Sequence, residues 1–234
     1  MLKLRLIGCL LLDGGVLSRT KRFVPDYRYT VEFVGAEHAD EMMIVDVTKE
    51  GPSPEFAKAA RAYADKCFVP VAMGGWVRTL DDCKRLFDLG ADKIVVGRAA
   101  DYLCWPIAEK YGSQACVAGV DAAGFPSEAG RLDKLAGCFQ KTGAGEIFLQ
   151  SVERDGSLGG YDIPLLKAVV EAVDCPVLIG GGVGNWRHLE DAFLAGAAGC
   201  VTSNIFHLTD GWMAAAKKAL IQRGMPVRPV ENAA

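Results

Sequence analysis

A glycine-spiked polar loop directly after a short apolar run is how a parallel strand ends at a binding face. The stretch Lys141–Asp162, KTGAGEIFLQSVERDGSLGGYD, has that form. Gly143-Ala144-Gly145 punctuates the end of a helical segment, and Glu146–Ser151 is an apolar run of strand length. Glycine lacks Cβ and tolerates positive φ, so backbone amides around Asp155, Gly156, Gly159 and Gly160 can approach an anion. The chemistry this allows is capture of a phosphate-like group. The same residues also suit an ordinary turn, and on this segment alone both readings stand.

Such loops need strands to hold them, and short apolar runs alternate with longer amphipathic segments along the whole chain, which predicts βα units and a parallel sheet. The expected strands are Leu4–Leu12, Glu41–Val47, Val69–Met73, Lys93–Gly97, Cys116–Asp121, Glu146–Ser151, Val177–Gly180 and Gly199–Ser203. Each leaves room for a following helix, so the expected fold is α/β, a closed (β/α)8 TIM barrel. The halves echo one another. PVAMGG (Pro70–Gly75) recurs as PVLIGGG (Pro176–Gly182), and LFDLGADKIVVG (Leu86–Gly97) as AFLAGAAGCVTS (Ala192–Ser203). Two half-barrels produce that pattern, each with its own candidate phosphate cradle: Gly75 in the first, and Asp155, Gly156, Gly181, Gly182, Ser203 and Asn204 in the second. The alternative is that glycine pairs after strands only tighten loops.

Composition bounds the reading. The chain has 234 residues, half of them hydrophobic, enough to bury one large core, so residues 1–234 are expected to form a single barrel domain. A net charge of −3 with no long basic run speaks against nucleic acid as a partner. The opening MLKLRLIGCLLLDGG has a basic front and apolar centre, but it breaks at Asp13 with no small-residue cleavage site and suits a buried first strand better than a signal peptide. No run reaches membrane-span length, so a soluble cytoplasmic protein is expected. Eight cysteines without CxxC spacing read as reduced thiols used as small hydrophobes. His38, His188 and His207 lie far apart in sequence, so neither a metal nor a cofactor is expected.

The pattern E-I-x-L-x-S-x-x-R-D-G-x-x-x-G-Y-D over Glu146–Asp162 resembles the cyclase subunit of imidazole glycerol phosphate synthase, a (β/α)8 barrel that receives ammonia from a glutaminase. The resemblance runs from MLKLR to FLAGAAGCVTSNIFH. It implies that Asp121, ending CVAGVD, is one of a pair of aspartates acting as general acid and base; a helix N-cap is the alternative role for that residue. It also implies an ammonia entrance at the opposite face, a ring of alternating charges filled here by Arg5, Glu41, Lys93 and Glu146, with Asp92 as a docking residue for the glutaminase. The alternative is an ion-pair ring that merely closes the barrel bottom. In the first half the family's third glycine is replaced by Trp76, which can stack on a ring, and the polar pair ending strand four by Gly97-Arg98, where Arg98 can hold an anion.

The family's strand-one aspartate is missing: the segment reads Gly8-Cys9-Leu10-Leu11-Leu12, and Leu11 has no proton to transfer. Asp13 would substitute only if its side chain turned into the same mouth. Cys9–Gly15, CLLLDGG, is more similar to a subfamily in surface-polysaccharide and nonulosonic-acid pathways, thought to pass ammonia to the acetamido group of a sugar. Thr20–Thr30 reads as a loop shorter than in either group. The resemblance therefore implies a glutaminase partner and a phosphorylated sugar or nucleotide substrate. The competing expectations are the cyclase of histidine synthesis itself, the sister isomerase that needs no ammonia, and a non-catalytic subunit that docks and activates a glutaminase.

Overall fold

Every apolar run forms a strand buried on both faces, as parallel strands enclosed by helices must be. The computed structural model describes residues 3–29, 38–122, 143–203 and 211–230. Strand β1 (Arg5–Asp13) is followed by an antiparallel hairpin, β2 (Val16–Lys21) and β3 (Val24–Arg28). Then come β4 (Glu41–Asp46), β5 (Val71–Gly74), β6 (Lys93–Val96), β7 (Cys116–Ala122), β8 (Glu146–Ser151), β9 (Val177–Gly180) and β10 (Gly199–Thr202). All except the hairpin pair in parallel order, and β10 returns to β1 with Arg5 opposite Gly199. The result is a closed eight-stranded (β/α)8 barrel.

The strand boundaries fall within two residues of those expected. The hairpin does not follow from them: what reads as a loop from Thr20 is strand through most of its described length. Its chain reversal carries Arg22 and Phe23 at φ 49° and 62°, left-handed values that suit a tight hairpin but are unusual for these side chains. That choice of residues hid the turn.

Outside the sheet, local signals place the helices. Ser53 caps Pro54–Ala64, Thr79 and Asp82 form a capping box on Leu80–Asp88, Asp162 caps Ile163–Ala172 and Asn185 caps Trp186–Leu194. The helices Ala100–Tyr111 and Trp212–Gln222 complete the described α-helices, and a 3-10 turn covers Ser113–Ala115; among the described residues no helix is long and apolar enough to cross a membrane. The larger core lies between strands and helices, while Ile7, Cys9, Leu11, Met43, Ala72, Val95, Val117, Phe148, Leu178 and Val201 fill the barrel itself.

Candidate functional site

Strand alternation aims alternate side chains into the barrel, so Val117 and Asp121 share the inner face of β7. Asp121 stands opposite Gln150 in register, and Leu11 opposite Val45. Ile7 opposes Glu41 as Val117 opposes Glu146, so counting four residues along each strand makes Leu11 the counterpart of Asp121 in the other half-barrel. Asp121 is a strand residue, which rules out the N-cap alternative. It is exposed at the rim, yet the surrounding strand ends strip enough water to raise its carboxyl above the ordinary range, against the opposing charge of Arg98. Asp13 does not replace it at Leu11: its carboxylate is paired with Arg28 of the hairpin at 2.6 Å.

The second-half residues Asp155, Gly156, Gly181, Gly182 and Ser203 do converge, lining a cavity of about 20 Å³ with Cys9, Leu11 and Gln150. Asn204 lies outside the described residues. Part of the expected amide cradle is already engaged, however. The Asp155 amide donates to Ser151 O, that of Gly159 to Ser157 Oγ and that of Gly160 to Gly182 O, so these three amides are engaged within the protein. The Asp155 carboxylate accepts from Thr20 Oγ1 at 2.7 Å and Phe23 N at 3.1 Å. A Cβ at Gly156 would meet Thr20 O at 2.7 Å. This loop therefore clasps the hairpin, and the Gly181–Val183 turn is the cavity's remaining backbone wall. Gly181 is glycine because its φ is +89° and a Cβ would meet Ser151 O at 2.7 Å.

In the first half Gly75 repeats this packing, with φ +97° and a Cβ that would collide with Asp46 O. Register makes Trp76 the counterpart of Gly182, since Gly74 opposes Val45 as Gly180 opposes Gln150. Trp76 keeps the left-handed backbone, φ 58°. Its indole N–H donates to Thr48 O at 2.9 Å, and the Arg78 guanidinium lies 5.1 Å from the ring centroid. Arg98 is exposed near Asp121.

At the other end of the barrel the four predicted charges meet. Arg5 contacts Glu41 and Glu146 at 2.7 Å each; Lys93 contacts Glu41 at 2.9 Å and Glu146 at 3.0 Å. The side chains alternate in sign and are only 10–20% exposed. Asp92 is exposed beside them, one carboxylate oxygen accepting from Val71 N at 2.8 Å. Between ring and mouth the interior is packed rather than hollow. Phe148 lies close enough to β9 that a Cβ at Gly180 would meet its ring at 2.8 Å.

Comparison with known families matches residues 7–211 to the family described as histidine biosynthesis protein. The chain belongs to that family. The histidine biosynthesis protein family comprises TIM-barrel enzymes of the isomerase and cyclase type, and the closed barrel described above is consistent with it. Among residues that sequence reasoning passed over, Gln150 could have been found from its parity with Glu146 and Phe148 on β8. Thr20 could not, because its role depends on a contact with Asp155 across 135 positions.

Proposed function

We propose that this barrel is the ammonia-accepting synthase subunit of a glutamine amidotransferase, of the cyclase type. The observation that carries the reading is the alternating ring of Arg5, Glu41, Lys93 and Glu146 on the inner face of the barrel's N-terminal end. Four inward charges are costly to desolvate; paired in a ring, they can exchange partners and part for a small neutral molecule. Ammonia enters there from a glutaminase docked over Asp92, crosses the apolar interior as side chains move aside, and reaches the mouth.

At the mouth the Gly181–Val183 turn and Ser203 hold a phosphate-class anion, and Asp121 moves the proton. A carboxyl whose pKa is raised by burial gives up its proton nearer neutral pH than an ordinary aspartate does. The CLLL strand-one segment, Cys9–Leu12, favours a nucleotide-activated amino sugar as acceptor. The cyclase step of histidine synthesis is the alternative substrate assignment. Leu11 supports a second reading of a different class, a non-catalytic subunit that docks and activates a glutaminase.

The test is to mix the chain with its glutaminase and measure glutamine hydrolysis and acceptor amination together. Stimulated hydrolysis with aminated product supports the synthase. Stimulation without product selects the docking subunit, and turnover with no need for ammonia selects the sister isomerase.

A further inference from the structure

The Gly184 amide donates to His188 Nδ1 at 3.0 Å. A backbone amide can only donate, so Nδ1 is the bare nitrogen of the ring, and a ring with one bare nitrogen carries no charge. Nε2 lies at the exposed edge, 3.2 Å from Asn185 Nδ2. His188 is the third residue of the helix Trp186–Leu194, whose N-cap is Asn185. Its side chain does there what the acid of a capping box does, reaching back to an amide ahead of the helix. The ring also packs beside Gly160, where an added Cβ would meet its Cδ2 at 3.4 Å. His188 thus touches both loops that Gly160 N–H and Gly182 O join.

In the other half-barrel the same place is filled by an acid. Six residues on from the matched pair Trp76 and Gly182, Asp82 is the counterpart of His188, and it too is the third residue of its helix. Its carboxylate accepts from Arg78 N at 3.1 Å and Thr79 N at 3.0 Å, so the cap is the same and only the charge differs. The first turn of Leu80–Asp88 carries Asp81 and Asp82, whereas that of Trp186–Leu194 has no acidic residue. Acids at a helix N-terminus stabilise it by about 0.3–1 kcal/mol each. The second-half helix forgoes that gain and keeps its positive end unneutralised.

Two amides stand just ahead of that end. Gly182 and Val183 are buried, and their N–H groups make no hydrogen bond among the described residues. Both residues line the mouth cavity with Ser203. Buried amides are costly to leave unpaired, and an anion would pair them. A carboxylate at position 188 would set a negative charge on Gly184, the next residue along, and repel that anion.

We propose that His188 is a positioning residue of the anion seat: its uncharged Nδ1 fixes Gly184, and with it the Gly182 and Val183 amides, without the negative charge that the same cap carries in the first half. This rests on the reading of the Gly181–Val183 turn as the seat of a phosphate-class anion.

Inorganic phosphate titrated into the isotope-labelled full chain, followed at the amide resonances of Gly182 and Val183, tests it. His188→Asn and His188→Asp both place an oxygen where Nδ1 stands and differ in charge. We expect His188→Asn to bind phosphate within about twofold of the parent and His188→Asp about tenfold or more weaker, both melting near the parent temperature. Asn185→Asp keeps the bond to Arg187 N and adds the charge one turn earlier, so it should weaken binding in the same direction however His188→Asp folds. Asp82→Asn, a charge change in the distant half, should leave affinity at these two amides unchanged. Parental affinity in both acid variants, or a loss in His188→Asn as large as in His188→Asp, overturns the proposal and leaves the seat intact. So does a gain in Asp82→Asn, since net charge rather than local charge would then govern. If phosphate shifts neither amide in the parent chain, the turn is not an anion seat and both readings fall.

Discussion

Leu11 and Asp121 occupy matching places in the two half-barrels, one apolar and buried, the other a carboxyl at the rim. With leucine at the matching place, Asp121 must serve both directions of proton transfer or borrow a proton from the substrate. Asp121→Asn is therefore expected to abolish amination with free ammonia supplied, and parental turnover would remove Asp121 from the chemistry. Stability should move the other way. The carboxyl's folded pKa lies above its unfolded value, so its contribution is present at low pH and is lost as pH rises through the folded pKa. Asp121→Asn should melt at the same temperature as the parent, or slightly higher, at neutral pH, and the difference should shrink towards pH about 4. Leu11→Asp would restore the paired carboxyls but place one where the parent buries a leucine, at a cost of about 2–4 kcal/mol. It should show histidine-type cyclase activity only if the first-half site accepts phosphate. The place of Asp121 at the end of β7 was legible because CVAGVD is an apolar run of strand length. The left-handed backbone of Trp76 had one sign only, its place where the resembled pattern has glycine, because a tryptophan does not itself favour that conformation.

At the scale of elements, the barrel strands follow from periodicity because each is an apolar run between turn residues. The β2–β3 hairpin escapes that rule: Val24–Arg28 is a largely exposed edge strand, and its reversal is made by Arg22-Phe23 rather than by glycine or asparagine. What fixes the hairpin is tertiary. Asp155, 6% exposed, spends one carboxylate oxygen on Thr20 Oγ1 and Phe23 N. Gly156 lets the hairpin backbone approach closely, so the hairpin is held against the loop whose Asp155 and Gly156 line the mouth cavity. Thr20→Val should leave that carboxylate a partner short, at a cost of about 1–3 kcal/mol confined to this element. Amide hydrogen exchange should then speed up across Val16–Arg28, with β7 and β8 unchanged. Equal acceleration throughout the barrel would mean that the clasp stabilises the whole fold rather than the hairpin.

Across the whole molecule, the two ends of the barrel have diverged to different degrees. The mouth has lost one aspartate and one glycine of the pattern its sequence resembles, whereas the opposite end keeps four charges in mutual contact. A ring kept only to close the barrel bottom would gain little from ionic residues, since buried ion pairs often do no better than apolar packing of the same volume. Lys93 separates the two readings because it touches both glutamates. Lys93→Ala leaves Glu41 and Glu146 sharing Arg5 alone, a loss of about 2 kcal/mol at this degree of burial, visible as a lower urea midpoint. Lys93→Met removes the charge while keeping most of the apolar volume and should recover part of that stability through packing. If the ring is purely structural, activity in both variants should follow stability, and Lys93→Met should recover the coupling between glutamine hydrolysed and acceptor aminated. If the ring admits ammonia, Lys93→Met should remain uncoupled despite its better packing, with hydrolysis exceeding amination, and added free ammonium should restore amination in both variants.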